Sequence, residues 1–229
     1  FEAKARKARY KFFEKKRSEI RYDWIATAHH ANDQSETILM RLITGSSYLG
    51  LLGIPKEKGK LFRPLLGFSK EELINYAKEN SLQYRYDKTN SDNHFDRNRI
   101  RNTIIPNIEK INPSFNKTVG RTIRNFNEIN YFIEKEVRIA YSKSVSITEE
   151  GYIQINRKML KDIPLLIQKE LIRTITNYDE KIWRGHIWDE LHDFLLYSST
   201  GNIMNILDNI RILNDRDFFL ISKIPASVR

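Results

Sequence analysis

Trp24-Ile-Ala-Thr-Ala-His-His-Ala-Asn-Asp-Gln-Ser-Glu-Thr37 decides the reading of this chain. A short apolar run ends in two histidines, His29 and His30. Asn32 and Asp33 follow, and then Ile38, Leu39 and Leu42 recur at helical spacing. The pattern predicts a strand over residues 22–28 that feeds a helix over residues 33–43. In open α/β sheets, ligands sit beyond the carboxyl ends of strands. Here that end carries two imidazoles, two carboxylates (Asp33 and Glu36) and the amide of Gln34. A helix starting at Asp33 also allows a plainer role: Asp33 as N-cap and Glu36 three residues on, a capping box with Asp in place of Ser or Thr. A helix N-terminus is a natural phosphate seat, which makes His29 a candidate nucleotide contact. Zinc is disfavoured, because adjacent histidines on extended backbone point apart and no third ligand is in step with them.

Working outward, the chain has 229 residues, 40% of them hydrophobic, enough for one large domain or two modest ones. Its net charge of +10 and pI near 9.6 suit a polyanionic partner, nucleic acid first and an anionic membrane second. No apolar run approaches membrane-spanning length and no signal peptide is visible, so a soluble, cytoplasmic protein is expected. The absence of cysteine excludes disulfides, thiolate metal sites and cysteine-based sulfur transfer.

Residues 1–20 read as a basic helix with Ala5, Ala8, Phe12 and Phe13 on one face. Residues 61–66 form a short apolar run whose Pro64 suits a strand end or an edge. Ser69-Lys-Glu-Glu72 is a capping box opening a helix to about residue 80. Residues 83–86 read as a strand, and Arg97-Asn-Arg-Ile-Arg101 enters a helical pattern that Pro106 interrupts. Strands alternating with helices over residues 20–105 predict a parallel, Rossmann-like α/β sheet. A boundary is expected near Asn112-Pro113, giving regions 1–112 and 113–229. Phe115, Val119, Ile123, Phe126, Ile129, Ile133, Val137 and Ala140 then mark one long helix. Residues 145–155 read as a hairpin, 164–176 and 186–197 as helices, and three short strands follow from residue 203. The second region is thus a smaller α+β unit. The arginines at 97, 99 and 101 place Arg97 and Arg101 on one helical face. They suit either an anion clamp or a solvated face paired with Asp92 and Asp96. On the first helix, Arg6, Arg9 and Tyr10 are solubility residues or a nucleic-acid contact.

The ordered motifs resemble one family. Ala28-His-His-Ala-Asn-Asp-Gln-Ser-Glu-Thr37 is similar to the His-x-Ala-x-Asp-Gln-x-Glu-Thr signature of tRNA(Ile)-lysidine synthetases, within the ATP-pyrophosphatase (PP-loop) superfamily. Glu2-Ala-Lys-Ala-Arg6-Lys-Ala-Arg9-Tyr10, Arg41-Leu-Ile-Thr-Gly45-Ser46, Arg63-Pro-Leu-Leu66, Asp87-Lys-Thr-Asn90, Arg97-Asn-x-Ile-Arg101, Pro106 and Asn112-Pro113 follow in the same order. The resemblance covers residues 1 to about 113 and is weak beyond. It implies a ligase that adenylates the wobble cytidine of tRNA(Ile) with a CAU anticodon, using ATP with Mg2+, and then joins L-lysine to it. It implies Asp33 and Glu36 as lysine-binding and catalytic residues, Arg97 and Arg101 as catalytic arginines, and His29 and Arg97 as ATP contacts. Arg6, Arg9 and Arg99 would meet tRNA. The metal ligands are left undetermined, and a homodimer is compatible with the sequence. Other ATP-pyrophosphatase-type tRNA enzymes and a non-catalytic tRNA-binding module are the alternatives. The family's Ser-Gly-Gly-x-Asp-Ser loop is missing; no Gly-Gly pair occurs in the chain, which begins at Phe1. An inactive fragment is therefore expected.

Overall fold

The computed structural model describes residues 2–85, 95–176, 185–206 and 210–223. Its packing divides the chain into two compact units, residues 1–129 and 130–229.

In the first unit, α1 (Glu2–Glu19) is the expected basic helix. Its expected apolar face is not covered: Ala5 and Ala8 are exposed and Phe12 is 56% exposed. Helical spacing can propose a face but cannot supply the surface to bury it. β1 (Ile25–Ala26), β2 (Glu57–Lys58) and β3 (Leu61–Phe62) make a sheet in the order β1-β3-β2. The β1–β3 pair is parallel, with Ile25 opposite Leu61, and the β2–β3 pair is antiparallel. The sheet is therefore mixed. The strand expected over residues 22–28 is reduced to two residues. β3 is central, not an edge, because Pro64 lies just past it, in a short 3-10 turn at Pro64–Gly67. No strand forms over residues 83–85, and residue 86 lies outside the described residues. The Asp87–Asn90 motif and Asp92 also lie outside them.

α2 (Ala31–Thr44) begins two residues earlier than the sequence suggests and stops at Gly45, whose φ of 74° needs a residue without a Cβ. Ile38 packs with Val119 and Ile123, while Leu42, expected on the same apolar side, is 58% exposed. α3 (Lys70–Glu79) carries the predicted capping box. The Glu72 amide donates to Ser69 Oγ at 3.2 Å and the Ser69 amide to Glu72 Oε2 at 2.7 Å. α4 (Asp96–Arg99) runs through a π turn (Ile100–Ile104) into α5 (Ile105–Ile111), where the Ile105 amide reaches back to the Ile100 carbonyl. Pro106 does not end the helical path. It has no N–H to lose, so a wide turn just before it sacrifices no hydrogen bond.

α6 (Phe115–Ser144) is the expected long helix, 30 residues or about 45 Å at the standard rise. Val119 and Ile123 are buried in the first unit; Ile133, Val137 and Ala140 are buried in the second. The second unit continues with β4 (Val145–Ile147) and β5 (Ile153–Asn156), then α7 (Arg157–Lys161), α8 (Leu165–Thr176) and α9 (Gly185–Tyr197). β6 (Ile203–Ile206), β7 (Ile210–Asp215) and β8 (Phe218–Lys223) complete an antiparallel sheet ordered β4-β5-β8-β7-β6. Alternation along β7 buries Ile210, Ile212 and Asn214 and exposes Arg211 and Asp215. Ile155, Leu171, Leu191 and Phe219 fill the core.

Candidate functional site

The mouth of α2 gathers four charged side chains from two distant stretches of chain. α2 contributes Asp33 and Glu36, α4 contributes Arg97, and the π turn contributes Arg101. Glu36 is 1% exposed. Arg97 Nε donates to its Oε2 at 2.7 Å, while Arg101 donates through Nε to Oε1 at 2.5 Å and through Nη2 to Oε2 at 2.9 Å. Asp33 Oδ1 accepts from Arg97 Nη2 at 3.0 Å and lies 3.6 Å from Arg101 Nη2. The geometry satisfies both conditions for burying charge: each carboxylate faces a guanidinium, and the hydrogen bonds are charge-assisted. Glu36 lifts the Arg101 pKa above its ordinary value through that hydrogen bond, against the opposing effect of burial.

This geometry divides the capping interpretation. His30, not Asp33, is the residue that precedes the helix. Asp33 is its third helical residue, and Oδ2 accepts the His30 amide at 2.9 Å. Glu36 stands in the second turn, where no free amide needs a cap. Arg97 and Arg101 pair with Asp33 and Glu36, and among the described residues no ion pair joins either to Asp96; Asp92 lies outside the described residues.

The two histidines diverge. His29 Nδ1 lies 2.8 Å from Thr27 Oγ1. His30 Nδ1 is buried and without a hydrogen-bond partner, 3.5 Å from Asp33 Oδ2. Burial pushes both imidazoles below their ordinary pKa, and the Asp33 carboxylate only partly offsets this. Arg63, Arg6 and Arg97 push His29 further down. Gln34 leaves the mouth: its amide brackets Ile54, donating to the carbonyl at 2.9 Å and accepting from the N–H at 2.6 Å. A Cβ at the adjacent Gly53 would lie 2.6 Å from Gln34 Oε1. Of the tRNA candidates, the Arg6 guanidinium stacks 5.0 Å from the Tyr10 ring centroid, and Arg9 and Arg99 are exposed. Among the described residues, none of the three forms an ion pair with the carboxylate cluster.

Sequence reasoning missed the inward turn of Arg63. It follows β3, is 4% exposed, and donates through Nη1 to the Pro55 carbonyl at 2.8 Å, while its buried Nε has no partner. Only its place at a strand's carboxyl end hinted at this. It also missed the chain from Ser35 Oγ to Asn116 Oδ1 at 2.6 Å and from Asn116 Nδ2 to Glu109 Oε1 at 2.8 Å, which ties α2 to the start of α6.

Chemically, the cluster offers two carboxylates to a cation and two guanidiniums to an anion. The Arg97 and Arg101 side chains are 32% and 27% exposed, so each keeps a face toward solvent. Among the described residues, no group of three or more His, Asp or Glu side chains is placed to hold a metal ion. No helix among them is long and apolar enough to cross a membrane.

Known proteins resemble this sequence. A PP-loop domain model matches residues 1–108. The tRNA(Ile)-lysidine synthase of Bacillus subtilis is 31% identical over 90% of this chain and 45% of its own length. That of Francisella tularensis subsp. novicida is 40% identical over the whole of this chain and 57% of its own. That of Thermosipho africanus is 39% identical over 60% of this chain and 32% of its own. The chain thus spans about half the length of the first two relatives. Residues 1–108 thus match a PP-loop domain model, and the chain as a whole is similar in sequence to tRNA(Ile)-lysidine synthases.

Proposed function

We propose that this chain is part of an ATP-dependent ligase that converts the wobble cytidine of tRNA(Ile), with its CAU anticodon, to lysidine. The cytidine C2 oxygen attacks the ATP α-phosphate and pyrophosphate leaves. A lysine amine then attacks C2 and AMP leaves, with one proton lost from the nitrogen. Residues 1–112 would carry catalysis, and residues 113–229 would bind tRNA.

One observation supports this reading above the others: a buried carboxylate pair at the mouth of a helix, faced by two arginines, in a chain whose relatives are named for this activity. Free lysine is a doubly cationic substrate at its two amines, and Asp33 and Glu36 are the acidic groups available to it. Lysine must share them with Arg97 and Arg101. Phosphate oxygens compete for those same guanidiniums, because a guanidinium fork fits phosphate as it fits carboxylate. Arg97 and Arg101 would also offset charge that develops on phosphate. His29, held neutral by burial, is the candidate donor to nucleotide. Magnesium would enter on the ATP phosphates, the usual carrier of this ion. A tRNA substrate implies work in the cytoplasm.

The test is a thermal-shift titration of the full-length protein with L-lysine in the presence of ATP. Saturating lysine at about 100 times its dissociation constant stabilises by about 2.7 kcal/mol. Asp33→Asn is expected to abolish that protection. Equal protection of wild type and variant removes Asp33 from lysine recognition.

A further inference from the structure

We propose that Arg63 binds the α-carboxylate of the free amino acid and so distinguishes L-lysine from a simple diamine. The proposal rests on the lysine-dependent reading above. It adds a partner for the one charged group of lysine that Asp33 and Glu36 cannot hold.

Among the described residues, the buried side-chain atoms without a hydrogen-bond partner are His30 Nδ1, Arg63 Nε and Asn214 Oδ1. They are not equivalent. Burial favours the neutral form of His30, and the Asn214 amide is uncharged and already donates to Ser198. Arg63 carries its charge at any ordinary pH. A buried cation with an unused donor is costly unless an anion meets it. The unused edge is also the one that suits a carboxylate. Arg97 and Arg101 each meet carboxylates through Nε and Nη2. Those two nitrogens lie on one side of a guanidinium and form a fork that fits two oxygens. The bond from Arg63 to Pro55 uses Nη1, on the other side. Its Nη2 has no partner either and reaches solvent, so an anion approaches the fork from there.

The position of Arg63 agrees with this role. It follows β3 directly, as Thr27 follows β1. The two strands are parallel, with Ala26 opposite Phe62, so Thr27 and Arg63 stand side by side just past both carboxyl ends. Such ends are where α/β sheets hold ligands. Thr27 Oγ1 in turn lies 2.8 Å from His29 Nδ1. Burial apart, the charges acting on the His29 ring are led by Asp33, which favours its proton, and Arg63, which opposes it. A negative and a positive pole thus flank one imidazole. An amino-acid head group is their complement: its ammonium faces Asp33 and its carboxylate faces Arg63. The other two arginines that act on His29 are engaged elsewhere. Arg97 holds Asp33 and Glu36, and Arg6 stacks on Tyr10.

A phosphate fits this position less well. Phosphate seats are built from backbone N–H groups aimed at the ligand. Here the neighbouring amides are taken: Arg63 donates its own to the Lys56 carbonyl at 2.9 Å, and Thr27 donates to Phe62 at 3.0 Å. Pro64 has no N–H to offer. A planar carboxylate needs only the fork.

The experiment compares the binding of L-lysine and of cadaverine to the full-length protein in the presence of ATP. Cadaverine is lysine without its carboxylate, and both amines remain. The unaltered protein is expected to bind lysine roughly 10- to 100-fold more tightly, the range set by hydrogen bonds to a charged group. In Arg63→Gln, lysine is expected to weaken to the level of cadaverine, while the affinities for cadaverine and ATP stay as they were. Arg63→Lys keeps a cation without the fork and is expected to retain part of the preference. Equal binding of lysine and cadaverine by the unaltered protein overturns the proposal without any variant, so a failure of Arg63→Gln to fold does not shelter it. A full preference kept in either variant overturns it as well. Weakened ATP binding with the preference intact assigns Arg63 to nucleotide phosphate and also overturns it. In each of these outcomes the ligase reading stands. If the unaltered protein binds neither lysine nor cadaverine, the ligase reading falls and the proposal falls with it.

Discussion

Glu14 and Arg17 on α1 meet at 2.6 Å; Glu36 and Arg97 meet at 2.7 Å. The distances do not separate the two pairs. The first joins residues one helical turn apart on an open surface, where the Glu14 side chain is 52% exposed. The second joins residues 61 positions apart, and Glu36 is 1% exposed. Solvent screens the α1 pair and competes for its charges, so such pairs contribute little. At the α2 mouth the Glu36 carboxylate is cut off from water and depends on the two guanidiniums for solvation, although each guanidinium keeps a face toward solvent. The difference teaches that contact distance says little about what an ion pair does. Burial says whether removing one partner leaves the other stranded, and chain separation says whether the pair defines the fold.

The sharpest way to break this comparison is Glu36→Ala. It leaves two guanidiniums facing each other across a buried gap. The expected loss is about 3–5 kcal/mol in the first unit, read from hydrogen exchange of the α2 amides. A loss no larger than that of an α1 variant would show that burial is not the deciding difference. Next is Asp33→Asn, which keeps an oxygen for the His30 amide and discards the charge. The change breaks the pair with Arg97, but Arg97 keeps Glu36 as a partner and a capping change costs about 1 kcal/mol, so the loss should stay below that of Glu36→Ala while lysine protection disappears. A large stability loss instead would make Asp33 a structural counter-ion.

Acidification tests the same burial without mutation. Burial holds His29 and His30 below their ordinary pKa of 6.5. As pH falls through that value, the unfolded chain takes up protons before the folded one does, so stability falls; it levels off once the folded imidazoles also protonate. Above that value the two histidines contribute no slope. His30→Gln should flatten part of the decline in an unfolding series between neutral and mildly acidic pH. The smallest effect is expected on α1: Glu14→Gln should leave the melting temperature of the chain unchanged. A clear drop there would place α1 in a packed environment.

Much of the fold was legible because it is written in local patterns. Ser69 and Glu72 satisfy each other's amides within one turn, so the α3 start needs no distant partner. Gly45 ends α2 through its own backbone. The apolar stripe from Phe115 to Ala140 defined α6 by spacing alone. The errors share a cause. Phe12 and Leu42 sit at apolar positions of their helices and are exposed, because burial depends on what packs opposite. Residues 83–85 have strand-forming composition and no strand, because a strand exists only through its neighbour. The buried position of Arg63 escaped notice because nothing in its flanking residues announces that the guanidinium folds inward onto Pro55.

The candidate site divides along the same line. Asp33, Glu36, Arg97 and Arg101 were each visible as charged residues at suitable positions, and a resemblance grouped them. The spacing at residues 33 and 36 fitted a cap as well as a ligand site. Sequence by itself determined the charge, the absence of thiols, the helices and the order of the motifs, since these follow from composition and from interactions within a few residues. Only the tertiary structure decided that Glu36 caps nothing, that Arg97 and Arg101 turn to Asp33 and Glu36 on α2, and that the Arg63 guanidinium is buried. Those outcomes depend on which distant side chains arrive at the same place and on whether water is excluded when they do.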